Sequence, residues 1–409
     1  MSEKKFQIKA TTKTIKDLKL SAILEITKAI NNNLSTSQLL DLYQEILENR
    51  LKVGKLVLFS YDQEWTCILK YGVDESFNHF EFEPELLNIK EIETISFSHG
   101  NLSRSFEIVI PVYHKKTPLA YVLLGDVNEQ KIELSAAIKH LPFIQTLTNI
   151  IVVAIENKKL YRQAIQKAQI QKELELAKTM QEMLFPHDLP NNDELKVAAT
   201  YIPHQQVSGD YYDFIRLNNH EFIFCVADVS GKGIAAALLM SNMQATLHSL
   251  VNYTHNLKDI MIELNKRVWG NANGEKFVSI FLGKINTKSK QLTYINAGHN
   301  PPVLFYNKQT NLLSKGCTLL GLSDTLSFMD LGILDLDKEF TLFCYTDGLT
   351  DTLNADGEYI NEETITEIIQ KNVNAEPKFI NEAVMYYADE FKGESLFVDD
   401  IALLTIRCR

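Results

Sequence analysis

The chain has 409 residues, of which 45% are hydrophobic and 23% charged, and its formal net charge is −11. This length suffices for two domains and a connector, and the composition is typical of globular proteins. The acidic balance argues against nucleic acid and anionic membrane surfaces as partners, because both bind basic patches. Apolar runs such as residues 150–155 are far shorter than the roughly 20 residues that span a bilayer.

The cysteines and the N-terminal segment favour a cytoplasmic location. Five cysteines, at positions 67, 225, 317, 344 and 408, show no Cys-x-x-Cys spacing. Cys225 and Cys344 lie inside predicted core strands, which fits reduced thiols in a reducing compartment. The segment that follows Met1 is polar and amphipathic, and it lacks the apolar centre of a secretory signal.

The first third of the chain alternates between predicted helices and strands. Apolar spacing predicts helices within residues 18–50, broken at 31–33, with Ser35 or Thr36 capping the second. Apolar and β-branched runs then predict strands at residues 55–61, 64–69, 106–113 and 118–126. The last two strands, joined by residues 114–118, predict a hairpin.

This order of elements resembles a GAF-like or PAS-like sensor domain, which we assign to residues 1–140. The GAF-like arrangement fits better, because two helices precede the first strand. The sequence has no Cys-Asp chromophore signature and no recognisable nucleotide-binding motif. The domain could therefore bind an unknown ligand or partner, or could serve only in dimerisation.

Residues 141–187 are predicted to form a helical linker. The segment is rich in Lys, Glu, Gln, Ala and Leu, lacks glycine, and ends near Pro186 and Pro190. One heptad register places on a single seam the apolar residues Val153, Leu160, Ile170, Leu174, Ala177 and Leu184, with Glu156, Gln163, Lys167 and Gln181. This seam predicts a parallel coiled coil and hence a homodimer. The alternative is an amphipathic helix that packs on its own catalytic domain.

Four segments of the second half place aspartates next to apolar strands. They are residues 208–213, 227–233, 345–348 and 398–401. Carboxylates that meet at the rim of a sheet repel each other, by roughly 1 kcal/mol at ~4 Å in water and about 4 when half-buried. Such a cluster calls for a cation, and oxygen ligands favour Mg²⁺ or Mn²⁺. The alternative is that each aspartate only forms a turn or caps a helix.

Together with Asn296-Ala297-Gly298-His299-Asn300-Pro301-Pro302, these segments resemble the SpoIIE-type serine/threonine phosphatases of the metal-dependent phosphatase 2C superfamily, most closely the RsbU type. The resemblance covers roughly residues 165–409. It implies an α+β multidomain chain whose residues 188–409 form a β-sandwich flanked by helices. It also implies hydrolysis of phosphoserine or phosphothreonine, two Mn²⁺ or Mg²⁺ ions, and a STAS-type anti-sigma-factor antagonist as phosphorylated substrate.

The resemblance implies a role for each site residue. Asp228 should bridge the two ions, and the backbone carbonyl of Val229 should join it on the second. Asp210 should approach that second ion through water, while Asp347 and Asp399 hold the first. We therefore predict these four aspartates as catalytic residues and, with Val229, as metal ligands.

Other polar residues of the motifs leave alternatives open. Asp213 and Asp400 could belong to the ligand set or could pair locally. His299 could act as a general acid, although its loop favours a structural role. Lys232 stands in the glycine loop where eukaryotic relatives carry a histidine, and no arginine lies close before Asp210. The sequence therefore names no residue for protonation of the leaving group.

Two other functions compete with a phosphatase. A nucleotide cyclase also follows sensor domains and uses two aspartates on metal ions, but the order of the four aspartates and residues 296–302 disfavour it. A non-catalytic adaptor could retain the fold, but all four ligand-type aspartates are present.

Overall fold

The computed structural model describes residues 2–73, 82, 84–94, 106–125 and 140–409, with the backbone but not the side chains of 2–15 and 85. The chain divides into two compact units, Met1–Ala168 and Gln169–Arg409. This division falls within one long helix, so the helix begins in the first unit and ends in the second.

The described residues of the first unit form a five-stranded antiparallel sheet with helices. Its helices are α1 (Ser2–Asn31), α2 (Thr36–Glu45), a π-helical turn (Ile46–Arg50), a 3₁₀ turn (Pro84–Asn88) and the start of α3 (Leu141–Glu182). Its strands are β1 (Lys55–Asp62), β2 (Glu64–Tyr71), β3 (Glu93–Thr94), β4 (Ile108–His114) and β5 (Thr117–Gly125). The strand order is β2-β1-β5-β4-β3.

Local sequence signals explain these elements. Ser35 caps α2 in a reciprocal capping box with Gln38, as predicted. Strands β4 and β5 form the predicted hairpin, in which Lys115 adopts a positive φ of 56°. One apolar cluster contains residues of α1, α2, α3 and the sheet, and a second contains other residues of the sheet. Residue 126, the predicted end of the last strand, lies outside the described residues.

The second unit is built from two sheets and four further helices. Its strands are β6 (Leu195–Ile202), β7 (Tyr211–Arg216), β8 (Glu221–Val229), β9 (Val278–Asn286), β10 (Gln291–Ala297), β11 (Val303–Tyr306), β12 (Gln309–Leu312), β13 (Gly316–Cys317), β14 (Gly332–Asp335), β15 (Phe340–Tyr345) and β16 (Ile401–Cys408). Its helices are the end of α3, then α4 (Ile234–Val251), α5 (Leu257–Ala272), α6 (Glu362–Asn372) and α7 (Pro377–Lys392).

The two sheets pack face to face as a sandwich. One has the order β13-β10-β9-β8-β7, with β14 beside β10, and the other has the order β12-β11-β15-β16-β6. Phe224 and Phe281 of the first sheet share a buried cluster with Leu342 and Leu404 of the second. Helices α4 and α5 cover the outer face of the first sheet, and α6 and α7 cover that of the second. The predicted β-sandwich flanked by helices is confirmed.

The helix α4 is the one described segment that is long and apolar enough to cross a membrane by length and composition. Its side chains explain this character without a bilayer. Met240, Met243 and Leu247 are buried in the same cluster as residues of α5 and of strand β8. The apolar face of α4 therefore belongs to the core of the second unit.

The predicted seam of the linker divides into two parts. Leu160 and Ile170 are each 59% exposed on α3, whereas Gln181 is 7% exposed and Leu184 packs against the core of the second unit. The helix ends at Glu182, so the heptad register does not continue to Leu184. The placement of Gln181 and Leu184 on an open seam was therefore wrong.

Candidate active site

Four aspartates predicted as catalytic stand at the ends of neighbouring strands. Asp210 immediately precedes β7, Asp228 lies one residue before the end of β8, Asp347 opens a 3₁₀ turn after β15, and Asp399 lies two residues before β16. Since β7 pairs with β8, and β15 with β16, each sheet contributes two of the four. Electrostatic interactions join Asp210 to Asp228, and Asp228 to Asp347 and Asp399.

Two glycines allow the backbone to approach closely here. A Cβ on Gly209 would lie 2.8 Å from the carbonyl oxygen of Val229, the carbonyl predicted to be a ligand. A Cβ on Gly348 would lie 1.9 Å from the carbonyl oxygen of Asp400. Side chains at either position would therefore push apart the segments that carry the aspartates.

Asp210 is the most buried member of the set. It is 2% exposed, and its Oδ2 is buried without a hydrogen-bond partner. Burial, and then the charge of Asp228, raise the pKa of Asp210 well above its ordinary value, while a hydrogen bond with Thr346 opposes them. A buried, unpaired carboxylate oxygen is costly, so this atom is suited to bind a cation or a water held by one.

The neighbouring carboxylates show the same electrostatic conflict. Burial raises the pKa of Asp228 to about 7, with Asp347 as the next cause. Burial, then Asp351 and Asp399, also raise the pKa of Asp347. Each carboxylate thus disfavours the ionised form of the next. Divalent cations would relieve this repulsion, so the donor set fits Mg²⁺ or Mn²⁺.

Lys232 provides the cationic charge that contacts this set. Its Nζ lies 2.8 Å from Oδ2 of Asp399 and donates a hydrogen bond of 2.6 Å to the carbonyl of Val398. Among the described residues, no three Asp, Glu, His or Cys side chains are grouped as a ready ion site. The carboxylates are therefore neighbours, but they do not surround a single ion position.

Two residues of the site were not predicted from the sequence. Asp351 lies four positions after Asp347, to whose carbonyl oxygen its amide donates a hydrogen bond of 2.7 Å. Burial and then Asp399 raise the pKa of Asp351. Thr346 is fully buried, and its hydroxyl accepts a hydrogen bond from the amide of Ala402. The position of Asp351, one helical turn after Asp347, could have indicated it from the sequence. No feature of the sequence indicated Thr346.

Asp213 and Asp400, whose roles the sequence left open, have local hydrogen-bond partners. Asp213 accepts hydrogen bonds from the Tyr211 hydroxyl and the Phe214 amide, and its Oδ2 lies 2.6 Å from Nε2 of His248. Asp400 accepts a hydrogen bond of 2.7 Å from the amide of His204. These contacts favour the local-pairing alternative for both carboxylates.

The loop of residues 296–302 has a structural role. The Asn296 side chain donates to the carbonyl oxygen of His299 and accepts from the His299 amide, which closes the turn. His299 is buried, and its Nδ1 lies 2.8 Å from the Ser279 hydroxyl. Burial lowers the pKa of His299 to about 4. The ring is therefore neutral near pH 7 and is unsuited to act as a general acid.

The second unit is similar to known proteins in sequence and in fold. Residues 218–409 match the family described as Stage II sporulation protein E (SpoIIE). The SiaA-PP2C domain of Pseudomonas aeruginosa superimposes with a TM-score of 0.53 at 18% identity, covering 60% of this chain and 100% of that one. This likeness shows the fold. The second unit therefore contains a segment that matches the SpoIIE family, and it has the fold of that phosphatase 2C domain.

Curated relatives of this unit carry more specific names. Phosphoserine phosphatase RsbU of Bacillus subtilis (strain 168) is 29% identical over 209 residues, which is 50% of this chain and 61% of RsbU. Phosphoserine phosphatase RsbP of the same organism is 24% identical over 191 residues, which is 45% of this chain and 47% of RsbP. The chain thus spans less than two thirds of either relative.

Proposed function

We propose that this chain is a metal-dependent serine/threonine phosphoprotein phosphatase. The observation that carries the proposal is the pair of buried Asp210 and half-buried Asp228, in which one carboxylate oxygen of Asp210 has no partner and both pKa values are raised. A fold retains such a pair where a cation binds it. Similarity to RsbU and RsbP supports phosphoserine as the substrate group.

The predicted ligands divide between two ions. Asp228 and the Val229 carbonyl, with Asp210, would hold one Mn²⁺ or Mg²⁺, and Asp347 with Asp399 would hold the other, with Asp228 shared. Bound ions supply an activated water and neutralise charge on the phosphoryl oxygens. The reaction adds the oxygen of water to phosphorus, breaks the bond from phosphorus to the seryl oxygen, and returns a proton to that oxygen.

The chain's own residues hold this constellation in place. The hydroxyl of Thr346 lies between the Ala402 amide and Asp210, so it links the second sheet to the first. Gly209 and Gly348 keep the carrying segments in contact. These contacts determine where a phosphate could approach, and positioning of this kind is the protein's main contribution to phosphoryl transfer.

The substrate proposed for this site is a phosphorylated protein of a bacterial partner-switching pathway, with a STAS-type anti-sigma-factor antagonist as the specific candidate. The resemblance to RsbU-type proteins supports this assignment. The proposed domains remain a sensor at residues 1–140, a linker at 141–187 and a catalytic domain at 188–409, in a cytoplasmic protein. The antiparallel sheet and helices of the first unit support a GAF-like sensor whose ligand is unknown.

A homodimer through the linker is proposed from the exposed side of α3. Val153, Leu160 and Ile170, which share the predicted seam, are between 38% and 59% exposed on this helix. Such a stripe usually marks an interface. Light scattering on the full chain at tens of micromolar should give the mass of a dimer, and a monomer would contradict this part of the proposal.

The phosphatase itself is tested by metal add-back. The chain is stripped with a chelator and assayed on p-nitrophenyl phosphate and on a phosphoserine-containing STAS protein. Mn²⁺ should restore release of phosphate from both, and the protein should be the better substrate. Incubation with ATP or GTP should give no cyclic product. No phosphate release at millimolar Mn²⁺, or a cyclic product, would overturn the proposal.

A further inference from the structure

The ion pair between Lys232 and Asp399 involves one of the carboxylates proposed to hold metal. The two charged atoms are 2.8 Å apart, and the ammonium also donates to the carbonyl of Val398. The positive charge of Lys232 also opposes the rise in the pKa values of Asp347 and Asp351. One ammonium therefore contacts Asp399, and its charge also acts on the carboxylates of Asp347 and Asp351.

No other cation shares this position in the described part of the chain. Of the ion pairs found there, the pair with Lys232 is the only one that involves Asp210, Asp228, Asp347 or Asp399. Lys276 also approaches the glycine loop, but its Nζ donates to the carbonyl of Ser230. Among the described residues, Lys232 is thus the one cation found in an ion pair with these aspartates.

The backbone around Lys232 allows its side chain to change partners. Gly231 and Gly233 flank it with positive φ values of 83° and 75°, and the Lys232 side chain is 42% exposed. Gly233 is the N-cap residue of α4, and no side chain caps the helix there. The lysine therefore lies on a short exposed turn at a helix N-terminus, where amide groups favour an anion.

We propose that Lys232 is a phosphate-binding residue that exchanges between two partners. In the metal-free chain, it neutralises Asp399 in place of a divalent cation. When a divalent ion takes the Asp399 carboxylate, the ammonium of Lys232 loses this partner and binds a phosphoryl oxygen of the substrate. The inference deepens the proposed function and rests on it, because it names a residue that recognises phosphate in a chain where no arginine lies close before Asp210.

Two opposite effects follow from one substitution, Lys232→Met, which keeps the length of the side chain and removes its charge. Affinity for Mn²⁺ should rise about tenfold, because Asp399 no longer has a competing cation nearby. Affinity for inorganic phosphate, measured as product inhibition, should fall about tenfold, as should affinity for the phosphoprotein measured as KM. Lys232→Arg should restore phosphate affinity towards wild type, since it can bind a phosphoryl oxygen.

The experiment measures Mn²⁺ binding by electron paramagnetic resonance of the free ion, and phosphate inhibition separately. Lys266→Met is the matched control, because Lys266 lies on α5 and pairs with Glu263; it should change neither quantity. Unchanged Mn²⁺ and phosphate affinities in Lys232→Met would overturn the inference, and so would a loss confined to thermal stability. If the wild-type chain itself fails to bind Mn²⁺, the proposed function fails instead.

Discussion

The side chain of Gln181 and the backbone of Ser208 form a reciprocal amide pair. The side-chain amide of Gln181 donates a hydrogen bond of 2.8 Å to the carbonyl oxygen of Ser208. The backbone amide of Ser208 donates a hydrogen bond of 3.0 Å to the side-chain carbonyl oxygen of Gln181. Both residues are buried. Since Ser208 lies two residues before Asp210, this pair fixes the end of α3 to a proposed metal-binding segment.

Gln181→Leu should therefore destabilise the second unit and disturb the site. The substitution leaves two buried backbone groups of Ser208 without partners, at a cost of about 1–3 kcal/mol. We expect a lower unfolding temperature and a higher Mn²⁺ concentration for half-maximal activity. Gln171→Leu is the control, because Gln171 is exposed on the same helix and lies off the predicted seam. Equal behaviour of the two variants would show that the pair has no such role.

Gly209→Ala should reduce activity, although the substitution adds only one methyl group. The new methyl group would lie 2.8 Å from the Val229 carbonyl oxygen, so Asp210 and Val229 would have to separate. Destabilisation by about 1–3 kcal/mol is typical of such overpacking. Gly270→Ala is the control, because nothing lies within 4 Å of that position in α5; it should be neutral or stabilising. Wild-type activity in Gly209→Ala would show that the site does not depend on this close approach.

The contact between His248 and Asp213 predicts a pH-dependent contribution to stability. The hydrogen bond with Asp213 raises the pKa of His248, and partial burial opposes this. A raised pKa means that the contribution is complete below the unfolded pKa of about 6.5 and is lost as pH rises through the folded pKa. Because the ring is half exposed, the contribution should stay below about 1 kcal/mol.

Thermal unfolding of His248→Gln at pH 5.5 and at pH 8.5 checks this contribution. The deficit relative to wild type should be larger at the lower pH. His255→Gln serves as the control, because His255 is exposed. A deficit that is the same at both pH values would contradict a charged pair.

Asp347→Asn and Asp399→Asn should each lose activity that high Mn²⁺ partly restores. Each substitution removes one charged ligand of several, which weakens binding, and mass action offsets weakened binding. Asp356→Asn, in an exposed turn, should titrate like wild type. Activity of both variants at low micromolar Mn²⁺ would exclude these residues from the site.

The sequence predicted the strands of the site well and its contacts only in part. Residues 222–227, 340–345 and 401–406 were predictable because strands buried on both faces are almost wholly apolar. The ion pair of Lys232 with Asp399 was not, because it joins residues 167 positions apart whose meeting depends on how the two sheets pack. The burial of Gln181 was not predicted from the seam, because it depends on hydrogen bonds with Ser208, 27 positions away in the chain.

The most direct test of the account is Asp228→Asn, because Asp228 interacts with Asp210, Asp347 and Asp399. The measurement is Mn²⁺-dependent phosphate release from a phosphoserine protein, beside a thermal unfolding curve. We expect a folded variant with no hydrolysis at millimolar Mn²⁺, since the shared ligand of both proposed ions has lost its charge. A folded variant that keeps more than a few per cent of wild-type activity would contradict it.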